Sequence, residues 1–260
     1  MENIPTLAIT LTVIIILFEV FKKLKPPDIS TFQTDKTLEQ LRKKYLKYDL
    51  FSLGLFWLFI IILTFIYYFL FVWLSDFRIS ILKEIVIVVK PFIAAWLLSA
   101  FFTAMLTASL ITIYLGKWKL KTDWDEYCAY GFMKSGYSPK VGSIVMRTFA
   151  VITAILIIGF LDWFTAFRQD DIIVNGLFGL GNKTYQYADI TDIRHVDKLK
   201  APNGNIVEDE HYIIVFNEGS KWNSRNNGFG DYKRDTSIIN LIVIEQKTGR
   251  QLTKIEFDLD

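Results

Sequence analysis

The side chains that do chemistry are few in this chain, and their spacing does not bring them together. The two histidines, His195 and His211, both fall in stretches that read as strands. Asp192 precedes His195 by three residues, a spacing that sends the two side chains to opposite faces of a strand and forms no acid–base dyad. The metalloprotease HExxH, nucleophile-elbow GxSxG and phosphate-cradling GxxxxGK[ST] patterns do not occur. Gly176–Gly181 is glycine-rich but lies between two strand patterns with no helix after it. It offers no helix N-terminus to a phosphate and reads as a hairpin turn. Asn203–Glu210 and Asn223–Asp231 carry oxygen ligands without the EF-hand spacing or its terminal Glu. Cys128 is the single cysteine, so no intramolecular disulfide or thiolate metal cluster can form. The sequence points to no catalytic residue, no metal ligand and no cofactor.

The elements around these residues explain the scarcity. Four apolar runs, Pro5–Phe21, Leu50–Leu74, Phe92–Leu115 and Ser143–Trp163, fill the first two-thirds of the 260 residues, and mean hydropathy is +0.31. A hydrocarbon core of ~30 Å takes about 20 apolar helical residues, which the second, third and fourth runs supply. The first run is shorter and carries Glu19. No basic residue precedes it and no small-residue cleavage site follows, so it reads as a retained anchor rather than a signal peptide. The fold expected is an α-helical transmembrane region of about four spans followed by an all-β domain. Residues 1–25 form the first segment, 26–49 a basic amphipathic connector and 50–166 the other three helices with the basic aromatic loop 116–142. Residues 167–260 form the β domain.

Charge gives an orientation. Lys22, Lys23, Lys25, Lys36, Arg42, Lys43, Lys44 and Lys47 lie in 22–49, and Lys117, Lys119, Lys121, Lys134 and Lys140 in 116–142. The connection 75–91 holds only Arg78, Lys83 and Lys90. The positive-inside rule places both basic segments in the cytoplasm and the tail outside the cell membrane. Residues 1–167 hold 17 basic and 12 acidic residues, while 168–260 hold 12 and 15. An acidic tail neutralises no phosphates, which argues against nucleic acid as a partner.

Several residues have interfacial or packing roles. In Thr34–Tyr48, Leu38, Leu41, Tyr45 and Leu46 form one stripe against a face bearing Lys43, Lys44 and Lys47, with Thr37 capping the start. This reads as a helix lying on the anionic leaflet. Trp118 and Trp124 interleave with lysines and belong at the headgroup layer. In the third run, Ala100, Ala104 and Ala108 and the hydroxyl row Ser99, Thr103 and Thr107 recur at i, i+4. Such rows let helix backbones approach, with hydroxyls free to bond across the contact. Glu19 has Lys22 and Lys23 one turn away, and Lys90 can snorkel outward from the start of the third run.

The tail alternates as strands at Asp171–Phe178, Thr184–Tyr187, Ile190–Val196 and Tyr212–Asn217. Ile238–Gln246 and Leu252–Leu259 are expected to pair across Lys247-Thr248-Gly249, giving a small antiparallel sheet, closed or nearly so. Within it, Asp171-Ile-Ile-Val-Asn175-Gly-Leu-Phe178 and Tyr185-Gln-Tyr187-Ala-Asp189-Ile190-Thr-Asp-Ile193 resemble the bacterial PH-like domains attached to small multi-pass membrane proteins. Ile190 and Ile193 would point inward around a bend that Asp189 caps through backbone N–H groups. The resemblance implies a PH-like partial barrel and a binding role, with a lipid headgroup, peptide or protein as ligand. The expected partners are the bilayer and either a membrane protein or a second copy of the chain. A transporter or channel subunit with a regulatory β cap is the alternative suggested by Glu19, Lys90 and the hydroxyl row. A membrane immunity or stress-response protein is compatible with the small size.

Overall fold

A computed structural model describes residue 19 and residues 34–81, 85–91, 93–137, 139–176, 183–200, 203–224 and 244–257. The run Pro5–Phe21 lies outside these apart from Glu19, which is helical and exposed. Among the described residues, three helices are long and apolar enough to cross a membrane, and a mixed β-sheet region follows them. The chain divides into two compact units: 4–73 with 96–158, and 74–95 with 159–260.

The first unit is helical. Helix α1, Leu38–Ser80, starts at a reciprocal cap in which the Thr37 amide donates to the Gln40 Oε1 (3.0 Å) and the Gln40 amide to the Thr37 hydroxyl (3.4 Å). It continues unbroken for 43 residues, or roughly 65 Å at 1.5 Å per residue, about twice the thickness of a hydrocarbon core. Helix α2, Ile93–Leu120, is followed by a 3₁₀ turn, Lys121–Asp123, and by the polar helix α3, Trp124–Ser135. Gly136 closes α3 in the left-handed conformation (φ 69°), its amide donating to the Phe132 carbonyl. Helix α4 is Pro139–Asp162.

A separate leaflet-lying helix over 34–48 is not what forms. Residues 38–48 are the first turns of α1, and Leu41 and Tyr45 are buried against Tyr130, with Leu120 and Tyr127 alongside. An apolar stripe on a basic helix needs a cover, and here protein covers Leu41 and Tyr45 while Leu38 and Leu46 stay exposed.

Among its described residues the second unit carries eight strands in two sheets: β1 Ile85–Val89, β2 Phe164–Arg168, β3 Asp171–Asn175, β4 Lys183–Gln186, β5 Ile190–Lys200, β6 Ile206–Phe216, β7 Lys221–Asn223 and β8 Thr253–Phe257. One sheet has the order β1-β2-β3-β4, all antiparallel, and the other the order β7-β6-β5-β8. Strand β1 comes from the connection between α1 and α2. It pairs with β2 in the register Ile87↔Phe167, Val88↔Ala166 and Val89↔Thr165.

Alternation then sorts the side chains. Val89, Phe167 and Ile172 join Ile190, Ile193, Ile214, Phe216 and Trp222 in the main core. Phe164, Ala166 and Ile173 are buried on the opposite face, with Val88 against them. Burial on both faces explains why Phe164–Phe167 and Ile172–Val174 read as short, mostly apolar runs rather than as half-polar strands.

Two expectations for the tail need correction. Residues 244–248 are helical, so Ile238–Gln246 is not a strand through its end; 238–243 lie outside the described residues. The Lys247-Thr248-Gly249 step stops this helix instead of turning a hairpin. Gly249 has φ 65° and its amide donates to the Glu245 carbonyl (2.8 Å), the geometry of a left-handed C-terminal cap. Gly at positive φ serves either purpose, and a short apolar run does not distinguish helix from strand. Strand β8 then lies parallel to β5, with Arg194↔Thr253 and Val196↔Ile255, so the sheet is mixed rather than purely antiparallel.

Candidate functional site

Among the described residues, polar side chains converge in two places, one in each unit. In the helical unit, two carboxylates fasten the start of α1 to α3. Glu126 accepts from Lys36 (2.6 Å), Lys44 (2.9 Å) and the Tyr45 hydroxyl (3.1 Å). Asp49 accepts from the Tyr127 hydroxyl (2.9 Å), the Tyr130 hydroxyl (3.0 Å) and Lys134 (2.7 Å). Tyrosine rings fill the space between them. Tyr45 meets Tyr127 edge-on at 5.3 Å and stacks with Tyr130 at 5.8 Å, while Tyr48 meets Tyr127 edge-on at 4.9 Å.

Gly116 lets α2 into this cluster: a Cβ there would stand 2.5 Å from the Trp124 ring and 2.7 Å from the Tyr48 oxygen. The apolar run of α2 ends at Leu115, so Glu126 sits beyond it. Lys36 and Lys44 together pull its carboxyl down to about 2.

In the β unit, the ends of α1 and α4 meet under the first sheet. Arg78 pairs with Asp162 and donates to the Leu161 carbonyl (2.8 Å), and its guanidinium lies 5.1 Å from the centre of the Phe164 ring. The side chains of this pair are only 8% and 16% exposed. Lys90, just after β1, pairs with Asp76 on α1 rather than snorkelling outward. On the core face, the Trp222 indole N–H donates to the Thr165 hydroxyl (3.0 Å), and its ring stands edge-on to Phe167 at 5.5 Å. Asn175 is buried on the other face, at the end of the Phe164 pairing, with neither amide atom hydrogen-bonded to a described residue.

The residues of the PH-like pattern hold the sheet together. Asp171 forms a bidentate pair with Arg168, at 2.5 Å to Nε and 2.6 Å to Nη2. Tyr185 stacks on Phe216 at 3.8 Å. Tyr187 donates to the Arg168 carbonyl (2.8 Å), and burial pushes its hydroxyl up to about 12. Asp189 caps the bend at Tyr187–Asp189 by accepting from the Gln186 amide (3.1 Å), and Ile190 and Ile193 point into the core, as the sequence pattern requires.

The other candidate residues scatter. Lys43 pairs only with Glu39 at the surface (3.1 Å), Lys47 is exposed and Lys44 belongs to the Glu126 cluster. Trp118 is exposed, whereas Trp124 packs beside Gly116 and Tyr127. Ala100, Ala104 and Ala108 are fully buried within the chain, and so is Ser99. Thr103 and Thr107 do not bond across a helix contact. Their hydroxyls donate to the Ser99 carbonyl (2.7 Å) and the Thr103 carbonyl of their own helix, where an i−4 oxygen is always within reach. His195 stacks on Tyr212 at 4.8 Å, and Asp192 pairs with Arg194 instead (2.6 Å).

Sequence reasoning passed over Asp49, Glu126, Arg78 and Asp162, which do the fastening. Acidic residues carry little weight in a topology argument, and an isolated Arg at the end of an apolar run reads as a flank. The one available signal was the presence of carboxylates inside otherwise basic segments. No family model matches the chain, and neither a curated protein nor a solved structure matches it.

Proposed function

We propose that this chain is a non-enzymatic multi-pass protein of a bacterial plasma or inner membrane, whose PH-like β domain binds a partner at the membrane surface. The observation that supports this most directly is the origin of β1. The sheet takes a strand from between two apolar helices, so the β domain is built onto the helix ends rather than tethered by a linker. A domain fixed there meets whatever the bilayer surface presents.

The excess of acidic residues in 168–260 favours a cationic or neutral protein segment over an anionic headgroup. Within 164–257 the exposed large apolar residues among those described are Ile206 and Val207, at the end of the β5–β6 pair where the chain passes from one strand to the other. Photo-crosslinking probes at these two positions of the full-length protein, in native membranes, should capture a membrane-protein segment, and a probe at buried Ile214 should not. Adducts only to lipid would move the reading to a headgroup ligand, and no adduct at either exposed position would remove it.

The β1–β2 pairing also bears on topology. It supports a topology in which the connection 81–92 and the chain after Asp162 share one side, whatever the run Pro5–Phe21 does. Three crossings by α1, α2 and α4 satisfy this, and leave the basic segments 34–49 and 116–142 on the opposite side. With those segments cytoplasmic, the β domain lies outside.

A further inference from the structure

We infer that β1 is a displaceable strand, and that the Arg78–Asp162 pair sets whether it stays in the sheet. Three observations carry this. First, β1 is an edge strand of five residues, paired on one side only among the described residues, and its register is interrupted between Ile85 and Ile87. A short edge strand with a bulge is the least secured element of an antiparallel sheet.

Second, both ends of β1 are tied to helices rather than to strands. Ser80 ends α1 five residues before Ile85 begins the strand, and Ile93 begins α2 four residues after Val89. The Lys90–Asp76 pair fastens the exit of the strand back onto α1. A displacement of the end of α1 therefore pulls on β1 directly.

Third, the neighbouring strand is held independently. Asp162 is the last residue of α4 and Phe164 the first of β2, and Arg78 grips this joint through the Asp162 carboxylate, the Leu161 carbonyl and the Phe164 ring. Strand β2 keeps its other partner, β3, and its link to Trp222 through Thr165. The pair thus joins the helix that carries β1 to the strand that receives it. With the pair intact, Val89 is sealed into the main core at 2% exposure; with the pair broken, β1 can leave while β2–β8 remain. Release uncovers Phe167 and the open edge of β2, so the position of α1 controls what the β domain presents to a partner.

Thiol protection in the full chain tests this. In a Cys128→Ser background, Val89→Cys places a single thiol on β1, and Ile214→Cys places one in the core strand β6. Both should resist N-ethylmaleimide in nanodiscs. Arg78→Ala or Asp162→Asn should speed labelling at position 89 at least about tenfold, leaving position 214 protected, because loss of one partner of a buried pair is costly while local opening spares the rest of the domain. Arg78→Lys should restore part of the protection.

Protection at 89 unchanged by both substitutions would overturn the inference, and so would equal acceleration at 89 and 214. If neither variant can be purified, hydrogen exchange of the unsubstituted protein decides. Amides of 86–89 exchanging faster than those of 164–175 support a separable strand, and equal rates contradict it.

Discussion

The two polar clusters use the same chemistry and differ in what surrounds it. Around Glu126 and Asp49, six donors are shared between two carboxylates, and the lysines involved are open to solvent, Lys36 and Lys44 at 48% and 36%. Around Arg78 one guanidinium holds the joint, and its ion pair with Asp162 is almost wholly buried. The first arrangement is redundant: any one lysine can go and the tyrosines still pack. The second hangs on one guanidinium, and removing either partner of its ion pair leaves the other largely out of solvent. Exposure, more than the number of contacts, decides what each cluster is worth.

That contrast orders the expected effects. Arg78→Ala should be the most damaging single change outside the core, costing about 3–5 kcal/mol because the buried Asp162 carboxylate loses its guanidinium. Thermal unfolding of the detergent-solubilised protein, followed by size-exclusion chromatography, reads this as a large fall in Tm. Gly116→Val comes next, at about 1–3 kcal/mol, since its side chain must displace the Trp124 ring and the Tyr48 oxygen; loss of the wild-type near-ultraviolet tyrosine signal would accompany it. Trp222→Phe keeps most of the packing against Phe167 but removes the bond to Thr165, for about 1 kcal/mol in the same melt.

Glu126→Gln should be the mildest, below about 1 kcal/mol, because its lysine partners are exposed. Its pH dependence has a definite sign. A carboxyl lowered from 4.5 to about 2 stabilises the fold above pH 4.5, and that contribution drains away as pH falls towards 2. The Tm difference between wild type and Glu126→Gln should therefore shrink across this window. A Glu126→Gln loss as large as that of Arg78→Ala would erase the distinction between the clusters.

How much of this was legible in the sequence depended on the range of the signal. The runs Leu50–Leu74, Phe92–Leu115 and Ser143–Trp163 stand out because twenty consecutive apolar residues have few other uses, and α1, α2 and α4 contain 50–74, 93–115 and 143–162 of them. The bend at Tyr187–Asp189 was readable because its cap and its inward isoleucines lie within seven residues of one another.

Strand β1 was not readable. Five β-branched residues between two long apolar runs have no alternation to mark them, and their partner is nearly 80 residues away in β2. Strand β2 was hidden for a related reason, since burial on both faces merges it with the end of α4. The Asp49 and Glu126 clusters join α1 to α3 across about 80 residues, a distance at which spacing arguments say nothing.

The joint construction of the β domain is the claim on which the rest depends, and a disulfide tests it most directly. With Cys128→Ser as background, Val88→Cys and Ala166→Cys occupy facing positions on β1 and β2, while Ile173→Cys lies one strand further, opposite Ala166 on β3. Neighbouring strands are about 4.8 Å apart, so the first pair is within disulfide reach and the Val88→Cys/Ile173→Cys pair, at roughly twice that distance, is not. Mild oxidation in native membranes, read by mass spectrometry of the digest, should link 88 to 166 within one chain and leave 88 and 173 unlinked. Failure of the 88–166 link in folded protein, or equal linking of both pairs, would mean that the connection between α1 and α2 is not part of the sheet.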